Sequence, residues 1–449
     1  MIRYGRLVAG LAAFALGAGW ASAQDAMSKD ALFGVAETKE SAPAVKIGGF
    51  FDALGAYTYP DPRHWSRGVG RLDVSAQGQF VPGVKWKVGG RVDADLVYFT
   101  SNFYLDEVKR DQRLTAIWGE NYVDFEAGGW DFRIGSQQIV WGEVVGLFFA
   151  DVVSARDMRE FLLPSFDIIR IPQGAVRAEY FAGDSHLELV WIPVPAFDNI
   201  GKPGADFYPA PLPSPTPAAD AALFQDPERP AAKLSNSNFG VRANTLLAGY
   251  DISAFYYRSF ATQPTFYRVD SSGTAQPFVF APRYDRLWQV GGTVSKDLGD
   301  LVLRGEAVYT SGQGFSVADV AAPQYVVERS TFDYIVSAEF PLPNDARLNV
   351  QAFQRVFNNG GGSDLAIRSD GFGASVFLTA KVGKFLEPQI LWIQNFRDAG
   401  SLVRPRLNWL IGSNVTASFG VDIFSGPADG YFGRYGNRDR VYAEFRYAF

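Results

Sequence analysis

The sequence contains no cysteine, only two histidines (His64 and His186) and three methionines in 449 residues. Without cysteine there is no disulfide stapling and no thiol nucleophile. With two histidines, one of them expected in a loop, zinc sites and imidazole catalysis are almost excluded. The chain has no G-x-S-x-G elbow, no H-E-x-x-H and no G-x-x-x-x-G-K phosphate loop. No catalytic residue, metal ligand or cofactor is therefore assigned, and the chain is read as not an enzyme. The net charge is −6 and no basic patch is present, which excludes nucleic acid as a partner. Beyond Gln24 no apolar run approaches the roughly 20 residues that a membrane helix needs.

What is present begins with an export pattern. Arg3 and Arg6 precede an apolar stretch from Leu7 to Trp20, and Ala21-Ser22-Ala23 has the small-x-small form of a cleavage site. Residues 1–23 are read as a signal peptide, and their removal brings the net charge to −8. Residues 24–44 are polar and Ala-rich, and are expected to form a periplasmic lead-in too short to be a globular plug. Aromatic residues make up 15% of the chain, high for a soluble enzyme and ordinary for a barrel with two aromatic girdles.

From Lys46 onward the sequence has a period of two. Trp86, Val88, Gly90, Val92, Ala94, Leu96 and Tyr98 alternate with Lys85, Lys87, Gly89, Arg91, Asp93 and Asp95. In an extended chain successive side chains point to opposite faces, so one face is apolar and the other charged. The last segment repeats this. Val441, Ala443, Phe445, Tyr447 and Phe449 share one face, and Arg440, Tyr442, Glu444, Arg446 and Ala448 the other. The terminal Phe449 looks like the signal read by the outer-membrane assembly machinery.

Short connections recur at Pro82-Gly83, Gly128-Gly129, Gly183-Asp184, Ala248-Gly249, Leu298-Gly299, Pro343-Asn344-Asp345, Val382-Gly383 and Ser413-Asn414. Gly, Asn, Asp and Pro supply the dihedrals of tight hairpins. Between them lie longer polar links at about 60–67, 100–113, 145–170, 196–236, 261–284, 312–330, 358–369, 396–402 and 424–438. Short turns on one side and long loops on the other are the asymmetry of bacterial barrels. Residues 45–449 are thus expected to form an all-β, closed antiparallel transmembrane barrel of about 18 strands, with 16 as the alternative, facing outer-membrane lipids.

By parity the lumen receives Lys85, Lys87, Arg91, Arg133, Arg177, Arg242, Arg304, Arg347, Arg404, Arg406, Arg440 and Arg446. It also receives Asp73, Asp93, Asp95, Glu120, Asp124, Glu179, Glu306, Asp333, Glu339, Glu387 and Glu444. These charges serve either as cross-strand ion pairs that stiffen a solvated wall or as a selectivity lining. Their near balance argues against strong anion or cation selection. The link at 145–170 combines Asp151, Arg156, Asp157, Arg159, Glu160, Asp167 and Arg170 with Phe148, Phe149, Phe161 and Leu162. Leaving those apolar groups outside the cell is unfavourable, so the segment is expected to fold inward and constrict the pore; packing over the rim is the alternative. Ser154 followed by Asp157 resembles a capping box and predicts a short helix over 155–163. Pro209, Pro211, Pro213, Pro215 and Pro217 predict an extended loop, with peptide recognition as the weaker reading. The Asn358–Asp364 stretch reads as a plain loop, with oxygen-ligated calcium as the weaker alternative.

The run Phe132-Arg133-Ile134-Gly135-Ser136-Gln137-Gln138-Ile139-Val140-Trp141-Gly142-Glu143 resembles the R-x-G-x-Q-x-V-x-W-G strand of a large family of uncharacterised proteobacterial outer-membrane barrels. Asp151-Val152-Val153-Ser154-Ala155-Arg156-Asp157 resembles that family's D-V-x-N-P-R-D segment, with Ser-Ala in place of Asn-Pro. Arg170-Ile171-Pro172, Ala178–Asp184 and Leu187–Pro193 continue the likeness over about 70 residues. The family is grouped by a domain of unknown function and is distantly similar to alginate-export-type barrels. The resemblance implies an outer-membrane barrel of Gram-negative bacteria, with an inner-membrane exporter as the implied partner. The expectation is a porin-like channel for a small or moderately apolar solute, with the exit port of an exporter as its narrower form. A structural or adhesive barrel acting through its outer loops is the alternative. A lipid hydrolase ranks last, since parity places no serine beside either histidine.

Overall fold

The computed structural model describes residues 45–147, 149–209, 223–270, 278–319, 322–358, 362, 364–367 and 371–449. The expected signal peptide and lead-in, Phe148, Pro211 to Pro217 and most of the 358–364 stretch lie outside the described residues. Strands dominate, and no described helix is long and apolar enough to cross a membrane.

The strands are β1 Lys46–Thr58, β2 His64–Val81, β3 Val84–Asp95, β4 Leu114–Trp118 continuing as Asn121–Ala127, β5 Trp130–Gln137 and β6 Gln173–Ala182. They continue as β7 Ser185–Ile192, β8 Asn238–Leu247, β9 Tyr250–Phe260, β10 Arg286–Asp297, β11 Val302–Ser316 and β12 Val326–Leu342. The last are β13 Ala346–Phe357, β14 Gly371–Thr379, β15 Leu386–Asn395, β16 Ser401–Ile411, β17 Val415–Ser425 and β18 Arg440–Ala448. Each pairs antiparallel with its sequence neighbour, and β1 pairs with β18, so the sheet closes as an 18-stranded barrel. Closure leaves no unpaired edge in hydrocarbon, where backbone groups find no other partner.

All eight short turns expected from the sequence join β2–β3, β4–β5 and so on to β16–β17. The nine longer links, L1 to L9, occupy 59–63, 96–113, 138–172, 193–237, 261–285, 317–325, 358–370, 396–400 and 426–439. The outward face exposes Leu72, Val92, Ile134, Val241, Ile252, Val290, Val336 and Phe419, with Trp65, Trp118, Trp191, Trp288 and Trp409 among the outward aromatics. This is an apolar band suited to lipid.

Three expectations are corrected. Leu96 and Tyr98 do not prolong β3: Asp95 Oδ1 accepts the Val97 N–H and caps a short helix, α1 Leu96–Thr100, which L2 follows with α2 Asp106–Gln112. The helix predicted over 155–163 does not form. Ser154 Oγ donates to Ile139 O and Asp151 Oδ1, Ala155–Arg156 pairs with Arg170–Ile171, and Phe161 has a positive φ of 55°. The helical turn in L3 is α3, Phe166–Ile169. Neither histidine sits in a loop, since His64 opens β2 and His186 is the second residue of β7.

Candidate functional site: a loop across the lumen

Register and burial turn every charged strand residue predicted for the lumen to the inner face. Arg71–Asp93, Asp73–Arg91, Gln77–Lys87 and Gln79–Lys85 face one another across β2 and β3. Arg133 grips Asp124 with two parallel bonds of 2.7 and 2.8 Å, and Lys87 donates to Glu120 at 2.8 Å. Arg177 pairs with Glu179, which also meets His186 Nε2 at 3.1 Å. Arg304 pairs with Glu339, Arg355 with Asp333, and Arg406 with Glu444. Arg347, the second residue of β13, lies opposite Thr379.

L3 runs inside this ring and touches facing walls. The residues carrying the family resemblance are those that launch it. Gly135 has φ +137°, and a Cβ there would meet Asn121 O at 2.2 Å. Gln137, fully buried, donates to Arg133 O and Ala175 O and ends β5. Trp141, 0% exposed, donates its indole N–H to Glu188 Oε2 at 3.2 Å and packs on Phe255 and Tyr257. Gly240 leaves the room for it, because a Cβ there would lie 2.6 Å from the Trp141 ring.

Beyond Trp141 the first half of L3 is held by its backbone. The Glu306 carboxylate on β11 accepts four N–H groups, from Glu143, Val144, Phe149 and Ala150, at 2.6, 2.7, 2.8 and 2.8 Å. Glu143 in turn accepts from Arg242 at 2.8 Å and Thr293 at 2.6 Å. Burial pushes the Glu143 carboxyl above its ordinary range, with Thr293 and Arg242 opposing it. Gln351 on β13 donates to Val145 O. Val145 and Leu147 then face Asn349, Ser375, Phe377, Leu391 and Ile393, a wall without charge, around a cavity of about 10 Å³.

The second half of L3 is held by ions. Asp151 pairs with Arg156 and Arg170 within the loop, both at 3.3 Å. Asp157 binds Arg159, whose Nη1 also donates to Asp111 O and Thr115 Oγ1. Glu160, 5% exposed, receives Arg67 at 3.0 Å, Arg71 at 3.5 Å and Arg440 at 2.9 Å. Burial acts to raise its carboxyl, but Arg67, Arg440 and Arg71 outweigh it and hold the pKa well below the usual value. Arg404 donates to Leu163 O at 2.7 Å and Arg91 to Ile168 O at 3.0 Å, while Arg446 pairs with Asp167 at 3.0 Å. Behind them Arg67 pairs with Asp95 and Arg71 with Asp52, and Asp422 bridges Arg404 and Arg440.

Above L3 the outer loops share one apolar cluster. Tyr98, Tyr104 and Val108 of L2 pack with Ile200 and Tyr208 of L4, Phe266 and Phe280 of L5, Val317 and Tyr325 of L6 and Leu365 of L7. Asp206 ties these loops together by accepting from Tyr104 at 2.6 Å and meeting His64 at 3.1 Å and Arg438 at 3.2 Å. Sequence reasoning missed the parts played by Gln351, Asp206 and Trp141. Only Trp141 carried a signal, as the tryptophan of the resembling motif.

Fold and surface together define a porin-like β-barrel of the Gram-negative outer membrane. Two solved structures share the fold at 10% sequence identity. One is OccAB1 of Acinetobacter baumannii, with a TM-score of 0.55 over 90% of this chain and 96% of that one. The other is OccK8 (OprE) of Pseudomonas aeruginosa, with a TM-score of 0.52 over 90% of this chain and 98% of that one. No curated protein matches the sequence. The chain belongs to the family described as "Protein of unknown function (DUF1302)", which matches residues 58–449.

Proposed function

We propose that this barrel is an outer-membrane passage for a small or moderately apolar solute, narrowed by L3. The observation that carries the reading is the path of L3. It is bonded to β11 and β13 through its first half and to β2, β3, β16 and β18 through its second. A loop so anchored fixes the cross-section and lines it with one charged and one uncharged side, which suits a solute that is neither fully polar nor fully apolar. The sequence resemblance supports the narrower form, an exit port fed by an inner-membrane exporter. Phe449 pairs through its N–H and C=O with Gly49 beside the β1–β18 junction, which supports a reading of this end as the one the assembly machinery recognises. Purified full-length protein in planar lipid bilayers is expected to give discrete conductance steps. A silent barrel contradicts the passage.

The outer loops, tied to one another through a shared buried apolar cluster, form a fixed outer surface, which favours a second reading, a barrel that acts through those loops. Removing 205–230 distinguishes the two. Loss of cell attachment with unchanged conductance supports the second.

A further inference from the structure

The lipid-facing side of the barrel carries two cations that the chain does not neutralise. Arg258 is the third residue from the outer end of β9, and Arg286 is the first of β10. Arg258 lies opposite Trp288 and Arg286 opposite Phe260, so the two arginines are diagonal neighbours on one face. That face is the outward one. Ser259 and Leu287, which face each other between them, are buried, whereas Arg258 and Trp288 are exposed.

Like charges so placed repel, and nothing among the described residues relieves them. Neither arginine forms an ion pair there. Asp285, next to Arg286 in the chain, is taken up by Thr265 and Tyr267 at 2.6 Å each and by the Gly314 N–H at 3.0 Å. Arg286 donates to Asn238 Oδ1 at 3.4 Å and Ser235 O at 3.2 Å, with its guanidinium 4.5 Å from the centre of the Phe260 ring. Its other N–H groups, and all those of the Arg258 guanidinium, have no partner among the described residues. The L4 segment that Arg286 touches, residues 229–238, brings Arg229 and Lys233 and no acid.

Register sets Phe239 and Trp288 on either side of Arg258, and Trp288 packs on Tyr309 at 5.4 Å. Outward aromatic rings of this kind mark the level of the lipid headgroups. Val241 and Val290 continue the same face toward the bilayer centre as exposed apolar surface. A guanidinium pair at headgroup level, turned to lipid and unmatched by the protein, draws its anion from lipid.

We propose that Arg258 and Arg286 together bind the phosphate of a phosphorylated glycolipid of the outer leaflet, with its acyl chains laid over Trp288, Val290 and Val241. Guanidinium forks meet phosphate oxygens in pairs, which gives the contact direction as well as charge. The apolar surface continuous with the pair selects a lipid over a free anion. Binding here does not depend on conduction, and a barrel that stays silent in bilayers leaves it standing.

The test is native mass spectrometry of the detergent-solubilised full-length protein, titrated with lipid A and with the same lipid stripped of its phosphates. The phosphorylated lipid is expected to bind about tenfold more tightly, the factor that roughly one charge-assisted hydrogen bond confers. In the Arg258→Gln/Arg286→Gln double variant the preference falls to under about twofold. A preference under about threefold in the unmodified protein, which needs no variant to fold, overturns the site. So does an equal fall in Arg110→Gln/Arg113→Gln, which removes two exposed cations elsewhere on the rim and would show that net charge alone sets the preference. Calorimetric titration of the unmodified protein with inorganic phosphate should give no binding heat. A saturable heat that is lost in the Arg258→Gln/Arg286→Gln variant would assign the pair to a free anion and overturn the lipid.

Discussion

The two halves of L3 solve one problem by different chemistry. From Glu143 to Ala150 the loop is fixed through backbone N–H groups converging on Glu306 and through Trp141 wedged against Phe255 and Tyr257. From Asp151 to Arg170 it is fixed by guanidinium–carboxylate pairs reaching β2, β3, β16 and β18. The inner wall is divided the same way. Near Leu147 it presents Gln351, Phe377, Leu391 and Ile393, and near Glu160 it presents Arg67, Arg71, Arg404 and Arg440. The first half thus gathers four of its N–H groups on one acceptor, Glu306, whereas in the ionic mesh of the second Glu160, Asp151 and Asp422 each bind more than one guanidinium.

The largest effect should follow from Glu306→Ala. Four N–H groups lose their acceptor at once, and the cost is on the order of 4 kcal/mol. Urea unfolding followed by tryptophan fluorescence would show it, and a loss under about 1 kcal/mol would mean that the first half is held by packing instead. Glu160→Gln comes next at roughly 3 kcal/mol, because it leaves buried guanidiniums without their anion. The mesh shares that loss, so the first half should stay in place, seen as unchanged protection of the Val144 and Ala150 amides in hydrogen exchange.

Smaller again is a pH effect where L4 meets L3. Asp198 accepts the Arg156 N–H at 2.8 Å, and burial pushes its carboxyl up to about 6. A raised carboxylate opposes folding while ionised, so lowering the pH through 6 should stabilise the protein. Glu160 stays ionised over that window, since its pKa is depressed and its contribution is lost only in strong acid. The gain that Asp198 contributes between pH 7.5 and 5 should be about 1–2 kcal/mol and should be missing in Asp198→Asn. Equal pH profiles for the two proteins would contradict the assignment. The smallest expected effect is that of salt. Raising it from roughly 0.1 to 1 M should change stability by under about 0.5 kcal/mol, because buried pairs are screened little. A large salt effect would mean that water enters the mesh.

Strand number, closure and the inner charged set were legible because a barrel wall is a local pattern. Side-chain parity and turn residues such as Gly128-Gly129 and Gly183-Asp184 settle it without long-range information. Partnerships were not legible. Nothing near Glu306 in the sequence marks it as the acceptor for amides some 160 residues away, and its parity is that of any lumen carboxylate. The capping-box reading at Ser154 failed because Asp151 and Ile139 O, brought near by the fold, captured the hydroxyl. Asp95 was read for its parity and missed as a cap, since its side chain turns back on Val97 only once the strand stops. The uncharged side of the lumen was also missed, because Asn349, Gln351, Leu391 and Ile393 look unremarkable until β13 and β15 are placed side by side with β14.

The account stands or falls on L3 narrowing the passage. Single-channel conductance of the full chain should be compared in planar bilayers with that of a chain lacking 147–163, at the same salt and voltage. A several-fold rise on deletion, with the barrel still folded by strand content, is the predicted result. Equal conductance would show that the loop does not set the cross-section and would contradict the account.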